Sequence, residues 1–122
     1  MTRKTSLLVL DWCKKYLGKS NYFSIKTLNL RINNRIDLLG EFIWEKNTIY
    51  VNLKSHKNLL NLIETIIHEY VHFQQSKEKF IKICGDLDIN EMSNHPYEII
   101  AENMAKTLSK ICYKQLKPII NN

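Results

Sequence analysis

Residues 68–72 read His-Glu-Tyr-Val-His, an H-E-x-x-H pattern inside an apolar stretch that begins at Leu62-Ile63 and ends at Phe73. A helix here puts the two histidines one turn apart on one face, with roughly 5–6 Å between Cβ atoms. Two imidazoles at that spacing can share a zinc ion at about 2.0–2.1 Å each. Glu69, the next residue round, then reaches a water on the metal and serves as its general base. An isolated H-E-x-x-H arises by chance in many proteins, so the rest of the chain must supply a third ligand.

A chain of 122 residues makes one domain, 1–122, with room for a real core but not for two. Its apolar fraction of 44% and charged fraction of 25% are those of a soluble globular protein. Cys13, Cys84 and Cys112 are scattered and form no C-x-x-C pair, which argues for a reducing compartment and against a disulfide framework or thiolate cluster. Behind Arg3 and Lys4 the apolar run Leu7–Leu10 is too short for a signal peptide or a membrane span. The expected location is cytoplasmic.

The formal charge of +6 is unevenly spread. Residues 1–35 hold eight Lys/Arg against Asp11 alone, and residues 106–122 hold four lysines and no acid. Between them, residues 36–105 hold six basic and eleven acidic residues, and the motif lies in this acidic middle. The basic ends read as solvated faces rather than a nucleic-acid surface, because no aromatic-interleaved patch accompanies them.

Leu8, Val9, Trp12, Cys13, Tyr16 and Leu17 recur at three- and four-residue intervals, predicting a helix over about 4–17 ended by Gly18. Residues 22–32 alternate imperfectly and read as a strand. Residues 40–44 and 48–53 make two more, joined by the short loop Glu45-Lys46-Asn47. Ser55 offers an N-cap for a motif helix over about 57–77. Residues 80–94 are irregular, and Pro96 opens a last helix that runs to about Lys117. The expectation is an α+β fold: N-terminal helix, three-stranded antiparallel meander, H-E-x-x-H helix, C-terminal glutamate helix.

The extension H-E-x-x-H-x-x-G-x-x-H fails, because Gln75 stands at the glycine and Glu78 at the third histidine. The last helix offers more, in Tyr97-Glu98-Ile99-Ile100-Ala101-Glu102. Glu98 and Glu102 share a face, where two carboxylates repel unless they meet a cation and an imidazole. The natural assignment makes Glu98 the third metal ligand, with Glu102 accepting a hydrogen bond from the outer nitrogen of His68 or His72. Glu98 also stands three residues after His95, where a glutamate can simply cap the helix.

This pairing resembles the gluzincin branch of the zincin metallopeptidases, in which H-E-x-x-H is followed by a helix bearing N-E-x-x-S/A-D. The resemblance covers roughly residues 38–112 and departs from the pattern at Tyr97 and Glu102. It implies a minimal one-domain zinc peptidase with His68, His72 and Glu98 as ligands, Glu69 as general base and Glu102 behind the histidines. It also implies that the edge strand before the motif helix, residues 48–53, receives substrate in extended form. A looser similarity links Ala101-Glu102-Asn103 to the ImmA/IrrE-type proteases that cut one protein partner, without their apolar Leu-Leu-Met-Pro tail.

Among the other candidates, His95 reads as structural before polarising a substrate carbonyl, and His56 as a surface residue near the helix cap. Trp12 and Trp44 read as core, and Tyr97 or Tyr113 as a possible oxyanion donor. The expectation is thus a zinc metallopeptidase, with one Zn2+ and a peptide or protein substrate. Two alternatives are a zinc-stabilised, non-catalytic protein-binding domain and a basic adaptor with a fortuitous motif.

Overall fold

The structure, a computed structural model, describes residues 1–120. The first helix, α1 (Arg3–Tyr16), is capped by Thr2, whose hydroxyl accepts the Thr5 N–H at 3.2 Å. It stops where expected: Gly18 adopts φ +79, a left-handed conformation that only glycine takes freely. Tyr70 donates its hydroxyl to the Gly18 carbonyl, and Gln74 donates to that of Leu17 at 2.7 Å. The end of α1 is thereby pinned to the end of the motif helix.

Three short strands follow: β1 (Asn29–Ile32), β2 (Gly40–Ile43) and β3 (Thr48–Val51). The antiparallel meander expected from the sequence is not what forms. The sheet is mixed, in the order β1-β3-β2, with β3 parallel to β1 and antiparallel to β2. Residues 22–28, expected in the first strand, form turns instead. The meander follows from the tendency of successive strands to pair, and burial overrides it. Ile49 and Val51 are fully enclosed, and a strand so buried is best placed centrally, with both edges hydrogen-bonded. Residues 33–39 carry the chain past the end of β3 and are tied there by Asn52 N–H to Leu39 O at 3.0 Å and Asn52 Nδ2 to Ile36 O at 3.0 Å. Consequently β3 is central and not the edge strand expected from the sequence; the edges are β1 and β2.

The β2–β3 hairpin closes through a 3₁₀ turn at Trp44–Lys46 and Asn47 in the left-handed region. A second such turn, Leu53–Ser55, absorbs the expected N-cap Ser55, whose N–H goes to Asn52 Oδ1 at 3.2 Å. The motif helix α2 (Leu59–Phe73) therefore starts later, capped by Asn58. It also ends earlier than expected, because Ser76 caps a separate helix, α3 (Lys77–Cys84), in a region expected to be largely irregular. A 3₁₀ segment (Ile89–Asn94) leads into α4 (Pro96–Ile120). This helix continues through Pro118, which lies in its last turn, where the missing N–H costs only one terminal bond.

Leu62, Ile63, Ile66, Ile67, Tyr70 and Phe73 make the inner face of α2 fully buried. Each such side chain contributes about 1.5–3 kcal/mol of burial free energy. Ala101, Ala105 and Ser109, four residues apart and all buried, form a small-residue stripe on α4, and α4 packs chiefly along α2. Cys13 and Cys112 are sealed in the same core, and none of the three cysteines forms a disulfide. Among the described residues, no helix is long and apolar enough to cross a membrane.

Candidate metal centre

The close packing of α2 on α4 sets Glu98 opposite the two motif histidines. His68 Nε2 lies 3.4 Å from Glu98 Oε2, and His72 Nε2 lies 2.5 Å from Glu98 Oε1. The imidazole centroids are 5.0 Å apart and inclined by 67°. One ligand atom from each of the three residues falls within 4.8 Å of the others. Ligands of a tetrahedral zinc at 2.0–2.2 Å stand about 3.3–3.6 Å from one another, so the His72–Glu98 contact has to open and any wider pair to close before an ion fits. Two imidazoles and one carboxylate are a donor set suited to catalytic zinc, with a fourth position left open.

The tautomer of His72 follows from its neighbours. The Tyr97 carbonyl can only accept, so the Gln75 amide nitrogen, 3.0 Å away, must donate to it. Gln75 Oε1 then faces His72 Nδ1 at 2.7 Å and accepts its N–H. Nε2 then donates to the Glu98 carboxylate, and it is this nitrogen whose lone pair would turn to an ion once that proton is released. Gln75 thus does for His72 what the sequence assigns to Glu102. Glu102 itself is exposed, pairs with Lys106 at 2.9 Å, and makes no hydrogen bond to either imidazole among the described residues.

Glu98 was open to two roles, ligand or helix cap. Its carboxylate turns to the histidines, and the helix start is served by His95, whose Nδ1 accepts the Tyr97 N–H at 3.0 Å. Hydrogen bonds from His68 and His72 hold the Glu98 carboxyl well below the usual carboxylate range, against the opposing effect of burial. Burial would lower the pKa of His72, but the Glu98 hydrogen bond and the charges of Glu69 and Glu98 outweigh it and raise the value. Glu69 is almost completely enclosed, and desolvation pushes its pKa up despite the nearby His72 and His68.

Glycine at position 40 lets β2 lie against this helix. A Cβ there would meet Thr65 Cγ2 at 2.7 Å and the Tyr50 carbonyl at 3.1 Å. The site opens into a cleft along β2, with His68 and Glu69 bordering both of its chambers. Phe80 of α3 forms part of the far wall, its ring 5.8 Å from that of His72 and stacked at 4.1 Å on His95. Trp44, expected in the core, is half-buried and lines the cleft beside Phe80.

His95 is fully buried, with Nε2 donating to the Phe80 carbonyl at 3.0 Å, so both ring nitrogens are spent on the fold. His56, expected on the surface, is also buried: Nδ1 donates to Asn52 O at 2.6 Å and Nε2 accepts from Thr65 at 2.8 Å. The Leu53–Ser55 turn ends at His56, whose ring is held between Asn52 and Thr65 of α2. Tyr113 sits about 22 Å along α4 from Glu98 at 1.5 Å per residue, too far to touch a reacting group. Gln75, Phe80 and Gly40 went unassigned in the sequence; of these only Gln75 carried a signal, three residues after His72 and so on its face. Comparison with protein-family models, with curated proteins and with solved structures finds no match for this chain.

Proposed function

We propose that this chain is a small zinc-dependent peptidase of the gluzincin type, with His68, His72 and Glu98 as metal ligands and Glu69 as general base. The observation that carries the reading is the meeting of Glu98 with both motif histidines, from a helix that begins 23 residues beyond α2. The succession of sheet, motif helix and glutamate helix supports the same comparison.

When bound, a zinc ion supplies Lewis acidity towards a carbonyl oxygen and acidifies a water at the position that the three side chains leave open. The chain's own residues do the rest. Glu69, desolvated beside both histidines, takes a proton from the attacking water and returns it to the leaving amine. Enclosed between the motif histidines and the β2 side of the cleft, it is placed to hold that proton between the two transfers. Gln75 keeps His72 in the ligating tautomer. The free edge of β2 offers backbone groups along which a peptide can lie extended.

Glu69→Gln preserves shape and removes the base. Elemental analysis should find one zinc per chain in both proteins, while cleavage of a peptide library falls by at least about a hundredfold in the variant. Undiminished hydrolysis by Glu69→Gln would overturn the mechanism. Zinc without turnover in either protein would instead mark a metal-stabilised binding domain.

A further inference from the structure

We infer that the cleft selects peptides carrying a cationic side chain on one side of the bond to be cut and a large apolar side chain on the other. This inference rests on the peptidase reading and adds its substrate class. His68, His72 and Glu98 all line the second of two adjoining chambers, which share Leu39, Gly40, His68 and Glu69. A strand added to the free edge of β2, advancing about 3.3 Å per residue, passes from one chamber to the other.

The first chamber, about 430 Å³, is lined by Ser55, His56, Asn61, Glu64 and Thr65. His56 and Thr65 are bonded to each other, so their polar capacity is spent. The Glu64 carboxylate takes part in none of the ion pairs among the described residues. Lys106, on the neighbouring helix, is already held by Glu102 at 2.9 Å. An acid without a partner beside the reacting centre is matched by the ammonium of a lysine or the fork of an arginine.

The second chamber, about 470 Å³, joins Glu41 and the cluster residues to an apolar wall of Leu38, Phe42, Trp44 and Phe80. Its rim leaves Leu38 and Leu39 more than half exposed, at 55% and 52%. Adjacent exposed leucines above an aromatic wall are what a leucine or phenylalanine side chain would cover.

The test uses the zinc-loaded chain and a synthetic decapeptide library read by mass spectrometry. Cleaved peptides should be enriched in Lys or Arg on one side of the cut and in Phe or Leu on the other. The cationic preference should be about fivefold over Asp or Glu, the size of one partly exposed ion pair, and should reverse in Glu64→Lys. In parallel, fluorescein-labelled Lys-bearing and Glu-bearing peptides are titrated into Glu69→Gln and Glu69→Gln/Glu64→Gln. The same preference should appear in the first and vanish in the second. Cleavage with no preference overturns this inference and leaves the peptidase reading standing. No cleavage with selective binding overturns the peptidase reading alone, and neither cleavage nor selective binding overturns both.

Discussion

The centre of the cleft and its two flanks treat histidine in opposite ways. On the flanks, His56 before α2 and His95 before α4 are buried, and each spends both ring nitrogens on neighbouring protein groups. At the centre, His68 and His72 keep partial exposure and turn Nε2 towards one carboxylate. A satisfied imidazole is a structural strut, with no lone pair to spare. A pair whose Nε2 atoms both donate to one glutamate can instead release those protons in exchange for a cation. Histidine alone therefore says little about chemistry; where its nitrogens go decides.

The sharpest way to break this comparison is His95→Ala. The change removes a fully buried ring, its stack on Phe80 and two hydrogen bonds. It should cost about 2–4 kcal/mol in denaturant unfolding, while the folded variant still binds one zinc. If the folded variant lost zinc, His95 would belong to the site.

Gln75→Ala should act the other way round. Metal affinity, measured by competition with a chelating dye, should fall by about 10- to 100-fold, with a stability loss near 1 kcal/mol in the metal-free chain. Unchanged affinity would show that the Gln75 contact does not orient His72. The smallest effect should come from Glu102→Gln. Its carboxylate is bonded to Lys106, so zinc affinity should stay the same within error. A tenfold loss there would restore the role that sequence reasoning gives it.

Much of this arrangement is legible along the chain because it is local. The 3.6-residue period marks α1 and α2, Gly18 marks a stop and Pro96 a start, and Glu45-Lys46-Asn47 marks a hairpin. Most of what failed was non-local. The order β1-β3-β2 depends on which strand the core encloses, and no strand announces that in four residues. The start of α2 moved because Asn52 captured the Ser55 N–H, a competition between two local caps. Tyr97 and Gln75, 22 residues apart, meet only because α4 folds back on α2.

By itself, then, the sequence determined the chemistry available: two histidines one turn apart, a glutamate between them, and acids on a later helix. Side-chain type and helical spacing are covalent and local facts, and need no fold to be read. Tertiary structure alone decided which acid faces the histidines, which group fixes the tautomer of His72, and which strand borders the cleft. Those choices turn on how two helices pack and which strand is enclosed, and packing joins residues that the sequence keeps apart.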